Sequence, residues 1–445
     1  MDSKNCYPLM LEAVSIQNVL PLTSRCNLGC IFCSHRQNPT EIKTCRLPHL
    51  SLQTVLELSR FLSPEKKIII GESATRIDEG EPFTYAQLLS ALQALRKMYP
   101  KSLLALTTNG TLLSKDVINE LAGLSPLELT VSLNSVTARG RGILLADPEP
   151  GRAPNAVALL AQSGIPFHGS LVAMPHLVGF DDIVETVRFL ADHGALTIRV
   201  FLPGYTAQAP AELRFPLSVW NEVVEMAQAL TGELDVPVIP EPAVPNDFHA
   251  EVYGVMRGTP AYRAGVLSGD VILSVGGRAV RTRVEAFTLA KKAANPVLRV
   301  KRGSHEQDIF MQKKQGQPPG FVMLFDFDPA RLEDVQAQIS RQRASVPLFL
   351  ASQFGEKVVR QAIALSGLPD FAVHPVVNTF FGGSIKSSGL LVLPDLLAAA
   401  RDAQTEKACD LVLVPREAFD RTGRDLTGRE LVGMEDSLGL PVRAV

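Results

Sequence analysis

The chain has no long hydrophobic run, no charge excess and few cysteines, and each absence removes a class of protein. Its greasiest stretch, Leu390 to Ala400, is interrupted by Pro394 and Asp395, whereas a bilayer span needs about 20 mostly apolar residues. Lys plus Arg number 44 against 46 Asp plus Glu, so no strong field exists to hold a polyanion, and nucleic acid is not expected as a partner. The opening residues, MDSKN, lack the apolar core of a secretory signal. Six cysteines in 445 residues do not make the disulfide framework of a small secreted protein. What remains is ordinary globular usage, 46% hydrophobic and 20% charged, at a length expected to hold two to four domains. The expectation is a soluble, cytoplasmic protein with no membrane partner.

The first 245 residues alternate short apolar runs with longer helix-like stretches. Expected strands are Val14–Leu20, Lys67–Ile70, Leu103–Thr107, Leu129–Leu133, Phe167–Ala173 and Leu196–Phe201, with helices such as Tyr85–Met98, Asp116–Leu121 and Asp182–His193 between them. Strands spaced this way argue for βα units on a parallel sheet, six units rather than the eight of a full barrel. Pro237–Pro245 holds four prolines in nine residues and reads as a linker. A shorter segment with strands at Val271–Val275 and Val297–Lys301 follows, then a second break at Gln315–Gly320. Beyond it the alternation resumes, with strands expected at Phe321–Phe325, Val346–Ala351, Phe371–Val377 and Asp410–Val414. The expected domains are 1–245, 246–315 and 321–445.

The chemistry is concentrated in Cys26-Asn-Leu-Gly-Cys30-Ile-Phe-Cys33. Thiolates are soft ligands that suit iron–sulfur clusters or zinc. Structural zinc wants four ligands, usually in two spaced pairs; here three thiolates crowd together, and His35 or His49 would have to serve as the fourth. Three cysteines on a four-iron cluster would leave one iron open to an exogenous ligand, which is a catalytic arrangement. Cys6, Cys45 and Cys409 are scattered, so no second cluster is expected; Cys45, in the loop after the cysteine motif, is a candidate redox-active thiol.

C-x3-C-x2-C after a first strand, with an aromatic, Phe32, before the last cysteine, resembles the signature of the radical S-adenosylmethionine (SAM) superfamily. The resemblance implies a [4Fe-4S] cluster on Cys26, Cys30 and Cys33, with SAM bound to the open iron through its amino and carboxylate groups. It further implies reductive cleavage of SAM to methionine and a 5′-deoxyadenosyl radical that abstracts hydrogen from a substrate carbon, the protein supplying position and shielding. A low-potential donor of flavodoxin or ferredoxin type would be required. Gly80-Glu81-Pro82 resembles the motif with which the family holds the SAM amino group, although Glu79 stands where a glycine is usual. Gly71-Glu72, after Ile68–Ile70, is the competing candidate. The next strand ends Thr107-Thr108-Asn109-Gly110, and Asn109 joins the candidate cofactor set. Ser132 and Asn134 end another strand, where the family places ribose contacts. Arg199 is a candidate for a SAM or substrate carboxylate, or for a salt bridge inside the barrel. Met174, after the fifth strand, would abut the adenine or serve as core.

Gly258-Thr-Pro-Ala261 through Gly269-Asp270-Val-Ile272, then Val275-Gly276-Gly277, resembles the PDZ domain, whose members add a peptide strand to a sheet edge. The carboxylate-binding loop that would precede this core is not visible around Asn246–Val255, so no peptide site is assigned. Residues 321–445 resemble the C-terminal domain of uncharacterised radical-SAM proteins that carry a PDZ module, through the stretches Val377–Ile385, Ser388–Leu391 and Leu411–Pro415. In the loop Asn378–Gly389, Gly382 and Gly383 would admit a ligand or only turn the chain, and Asn378 or Lys386 would meet a polar group. The expected protein is an α/β enzyme: a partial (βα)6 radical-SAM barrel, a PDZ-like module and a C-terminal α/β domain. Its substrate is a small molecule or a peptide. The alternatives are modification of a peptide docked by the PDZ-like module, or an iron–sulfur electron carrier or sensor.

Overall fold

The computed structural model describes residues 6–33, 36–74, 76–243, 245–368 and 371–445. The chain forms two compact units. One comprises Met1–Arg36, Lys43–Pro203 and Phe215–Glu241; the other comprises Gln37–Ile42, Gly204–Arg214 and Pro242–Val445. Among the described residues no helix is long and apolar enough to cross a membrane.

In the first unit, β1 (Cys45–Arg46) pairs in parallel with β3 (Ile77–Asp78). The main sheet holds β2 (Ile68–Ile70), β4 (Leu104–Thr108), β5 (Leu127–Ser132), β6 (Phe167–Val172), β7 (Ile198–Phe201) and β8 (Val238–Glu241). These six strands lie side by side in chain order, every pair parallel. Buried and half-open positions alternate along β5, as a strand with one face on helices requires. The helices start on hydroxyl caps: Ser51, Ser114 and Thr137 each accept a backbone N–H from the first turn. Their apolar stripes and the strands' outward residues make one continuous core.

Six parallel strands are present, but they are not the six expected. Val14–Leu20 is not a strand: Ala13–Gln17 is helical, and only Val19 bridges to Ile69. A short apolar run does not by itself distinguish strand from buried helix. Asn18 ends the helix in the left-handed region at φ 59°, its side chain donating to Lys67 O at 2.9 Å and accepting from Ser63 N at 2.7 Å. The missing strand is β8, inside the proline-rich stretch read as a linker. Pro240 is tolerated there because β8 is the sheet's last strand, where an absent N–H breaks no outer ladder. Cys6 and Cys45, scattered in the sequence, form a disulfide: 39 residues apart, they meet only through the fold.

In the second unit, β9 (Gly254–Val255) precedes an antiparallel sheet of β10 (Val271–Val275), β11 (Arg278–Ala279), β12 (Val297–Arg302) and β13 (His305–Phe310), in the order β11-β10-β12-β13. Buried Asp270 ties this module together, accepting from Leu267 N at 2.9 Å and from two Arg302 nitrogens at 2.7 Å. β14 (Phe321–Val322), expected to open the C-terminal domain, instead pairs antiparallel with β9. Phe321 is 1% exposed in this module's core and meets Phe287 edge-on. Last comes a four-stranded parallel sheet of β15 (Pro347–Ser352), β16 (Ala372–Val376), β17 (Leu411–Val414) and β18 (Val442–Ala444), ordered β16-β15-β17-β18.

Candidate functional site

The cysteine loop is held from below by a helix end. Gly29 N donates to Leu145 O at 2.9 Å and Ile31 N to Leu144 O at 3.0 Å, both at the close of the helix Ala138–Leu145. That end is locked by Arg141, which is fully buried. Its guanidinium meets Asp147 through Nε at 2.7 Å and Nη2 at 2.6 Å, and donates to Leu133 O at 2.7 Å. Sequence reading gave no weight to Arg141 or Asp147, since nothing local marks two residues six apart as a buried pair.

Within the loop, Cys26 lies at the exposed edge and Cys30 and Cys33 are half-buried, as is Phe32. Burial pushes the Cys30 thiol up to about 12, and the charges of Cys26 and Cys33 add to it. Burial likewise raises Cys26, and Glu81 and Cys33 contribute. The raised Cys26 and Cys30 thiols, both within reach of the charge on Cys33 and with Arg36 acting as a cation on Cys30, ionise readily only around metal. Among the described residues, no three His, Cys, Asp or Glu side chains converge on a single ion; His35 lies outside the described residues. A multi-iron cluster, which spreads its ligands over several corners, fits this donor set.

Gly80-Glu81-Pro82 lies directly against the chain that enters this loop. Gly80 N donates to Thr23 O at 2.9 Å and Glu81 N to Arg25 O at 2.8 Å. A Cβ on Gly80 would stand 2.1 Å from Arg25 O and 2.6 Å from Arg25 N, so only glycine permits the approach. The buried Glu81 carboxylate accepts from Thr108 Oγ1 at 2.7 Å, Asn109 N at 2.7 Å and Phe83 N at 3.2 Å. Burial nonetheless pushes it up to about 7. Asn109 completes the link: its amide donates to Asn27 Oδ1 at 2.9 Å and to Cys26 Sγ at 3.9 Å. Glu72, the competing candidate, is exposed and accepts from Thr107 Oγ1 at 3.1 Å instead. Glu79 is unusual: both carboxylate oxygens are sealed from solvent and, among the described residues, neither makes a hydrogen bond within normal geometry, although the residue as a whole is only part-buried. Burial holds its carboxyl well above the usual range, and Glu81 adds to this.

Ser132, Asn134 and Arg199 form a second group on the sheet. Register places Ser132, Ser170 and Arg199 in one row across β5, β6 and β7, and the two serine hydroxyls are 2.9 Å apart. Asn134, in the left-handed region at φ 62°, braces backbone, donating to Ser132 O and accepting from Val172 N, both at 3.0 Å. Arg199 is exposed rather than buried and pairs with Glu241 at 2.9 Å. Glu241 lies on the strand that the prolines concealed. His168 sits in the neighbouring row opposite Thr130; burial, with Lys67 and Arg199, pulls it down to about 4, leaving it neutral. Met174 is buried.

The loop Asn378–Gly389 belongs to the second unit, and its Asn378 side chain is spent internally. Asn378 accepts from Phe381 N at 2.9 Å and donates to Leu390 O at 2.8 Å. Gly382 and Gly383, at φ 65° and 61°, admit the protein's own chain: a Cβ on Gly383 would lie 2.2 Å from Tyr205 O.

Residues 20–190 match the radical SAM superfamily, and residues 251–302 match the PDZ domain. The chain thus carries a segment that matches the radical SAM superfamily and another that matches the PDZ domain, and the radical SAM superfamily implies binding of an iron–sulfur cluster and SAM. It is similar to GTP 3′,8-cyclase of Mycolicibacterium smegmatis, 32% identical over 175 residues covering 39% of this chain and 46% of that one. The same enzyme of Mycobacterium sp. strain KMS is 29% identical over 175 residues, covering 39% and 47%. The chain therefore spans about half the length of the curated relatives it matches. Among solved structures, Streptococcus suis SuiB bound to S-adenosylmethionine is 16% identical with a TM-score of 0.39, covering 50% of this chain and 49% of that one.

Proposed function

We propose that this protein is a cytoplasmic enzyme that binds a [4Fe-4S] cluster on Cys26, Cys30 and Cys33, takes electrons from a flavodoxin- or ferredoxin-type donor, and cleaves SAM to act on an organic substrate. The observation that carries the reading is the chain of contacts from Cys26 through Asn109 to Glu81, which joins the cysteine loop to the motif expected to hold SAM. When bound, the cluster supplies the electron for SAM cleavage and hence the hydrogen abstraction that follows. The rest is the work of this chain's side chains. The Asn109 amide donates to the Cys26 sulfur and fixes the loop's orientation. Glu81, its carboxylate already aimed by Thr108 and Asn109, binds the SAM ammonium, and Gly80 and Pro82 hold that carboxylate in place. Glu81 is preferred to Glu72 because Glu72 is exposed and accepts from Thr107 rather than from the residues that reach the cysteine loop. Ser132, Asn134 and Arg199 shape the wall along the sheet, Arg199 with its charge balanced by Glu241. In this reading residues 1–245 carry the radical chemistry, 246–315 form the PDZ-like module and 321–445 the C-terminal domain, with β14 contributed back to the module.

Glu81→Gln keeps the shape and most hydrogen bonds but removes the charge. SAM affinity of the cluster-loaded variant, by equilibrium dialysis, is expected to fall 10- to 100-fold, in line with about 1.5–3 kcal/mol for a hydrogen bond to a charged group. Undiminished affinity would transfer the role to another residue.

A second reading, modification of a docked peptide, is favoured by Pro319-Gly320-Phe321. This run enters β14 beside β9 and the helix Arg283–Lys292, and a Cβ on Gly320 would stand 2.1 Å from Thr259 Cβ. A glycine-led turn into a strand beside a helix suits capture of a peptide carboxylate by backbone amides. The turn expected upstream of the module is put downstream of it in this reading. Binding of C-terminal peptides that is lost in Gly320→Val is the expected result under this reading.

A further inference from the structure

The C-terminal sheet of the second unit contains a site that the radical SAM reading does not use. Its strands run parallel in the order β16-β15-β17-β18. The chain leaves β15 through the helix Glu356–Ser366 to β16 on one side, then returns through the helix Leu393–Glu406 to β17 on the other. The connections therefore part between β15 and β17, and in open α/β sheets ligands bind in the crevice at such a reversal, beyond the strands' carboxyl ends. A cavity of about 550 Å³ opens there, within the range of small-molecule sites.

Its lining defines the chemistry of the occupant. Phe349 and Leu413 come from the sheet, Val335 from the helix Ala330–Gln342, and Val359 and Ile363 from the helix Glu356–Ser366. Phe325, 72% exposed, also borders the cavity. At the end of β15, Ser352 Oγ accepts from Gly355 N at 3.1 Å and from Ser388 Oγ at 3.0 Å, which leaves the Ser352 proton free to donate. The charged groups of the lining are already engaged. Asp326 accepts from Arg283 N at 2.8 Å and Val284 N at 3.1 Å, Asp328 accepts from Ala330 N at 3.0 Å, and Arg331 pairs with Glu417. With Arg331 already paired, an anionic ligand would enter an apolar space without a free counter-ion, which is strongly disfavoured.

We infer that this crevice binds a neutral, largely apolar molecule of roughly 20 non-hydrogen atoms bearing one acceptor oxygen, such as a carbonyl, that meets the Ser352 hydroxyl. The test uses full-length, cluster-reconstituted protein and Nile red, a neutral dye with a ring carbonyl, titrated by fluorescence. One saturable equivalent is expected. Ser352→Ala should weaken binding several-fold and Val359→Trp, which fills the space from a half-buried helix position, more than tenfold. Leu365→Ala, at an exposed position outside the lining, should change nothing. Thermal melts check each variant's fold. If Val359→Trp does not fold, Gly389→Leu repeats the test from another part of the lining, where an added Cβ meets nothing nearer than Glu417 O at 3.6 Å. The anionic dye 8-anilino-1-naphthalenesulfonate should bind at least tenfold more weakly. No saturable binding, binding indifferent to folded filling variants, or equal affinity for the anionic dye would each overturn the inference.

Discussion

Gly80→Ala tests whether the contact between the entry to the cysteine loop and the Gly80–Pro82 motif is as tight as the structure has it. The added Cβ would stand 2.1 Å from Arg25 O, 2.6 Å from Arg25 N and 2.6 Å from Ser24 C. All three are backbone atoms, so no flexible side chain can swing aside. Residues 23–25 must move, and the two hydrogen bonds from Gly80 N and Glu81 N lengthen or break. Overpacking costs about 1–3 kcal/mol and each lost hydrogen bond about 1 kcal/mol, so the loss is about 3 kcal/mol at the low end of these figures. The sequence has a single tryptophan, Trp220, buried in the helix Ser218–Leu234 of the first unit, so its emission follows that unit alone. With a urea slope of about 3 kcal/mol/M, the apo variant's midpoint should fall by about 1 M. Iron retained after anaerobic reconstitution should fall below half of the wild-type amount, because Cys26 directly follows the displaced chain. Gly142→Ala is the control: it lies inside the helix Ala138–Leu145 with nothing within 4 Å of an added Cβ, so a gain of about 0.5–1 kcal/mol is expected. A Gly80→Ala protein with unchanged midpoint and full iron would refute the reasoning.

Three further outcomes follow from the same geometry. Arg141→Met leaves Asp147 buried without its cation and should destabilise the first unit by about 3–5 kcal/mol, read from Trp220 emission, with reduced iron loading because Leu144 and Leu145 carry the cysteine loop. Asn109→Ala removes the donor to the Cys26 sulfur; the cluster's midpoint potential, by redox titration, should move negative by on the order of 50 mV, about 1 kcal/mol for one electron. Glu79→Gln should stabilise the apoprotein at pH 8 by about 1–3 kcal/mol. Its carboxyl is raised in the fold, so the wild-type residue is tolerated below the unfolded carboxyl range and costs stability as pH rises through the folded value. The variant's advantage should therefore shrink toward pH 4, and a constant advantage across that range would contradict it.

Local patterns were legible in the sequence, and tertiary pairings were not. Cys26, Cys30, Cys33 and Gly80-Glu81-Pro82 are short motifs whose spacing survives in one dimension, and the structure ties both to Asn109. Strand β8 was hidden because prolines usually end a strand, and only its edge position excuses Pro240. Its loss from the reading also hid Glu241, the partner of Arg199. Val14–Leu20 failed for a different reason: a run that short fits either period. Arg141 with Asp147, Cys6 with Cys45, and Phe321 with the PDZ-like core are contacts between residues that sequence spacing does not connect. The C-terminal crevice depends on strand order, which no stretch of sequence states.

The most direct test of the central claim is anaerobic reconstitution with iron and sulfide, then dithionite and SAM, with methionine and 5′-deoxyadenosine measured together. The account predicts equal amounts of both products from the wild-type protein and neither from Cys30→Ala. A cluster-loaded wild-type protein that neither binds SAM nor releases 5′-deoxyadenosine would contradict it.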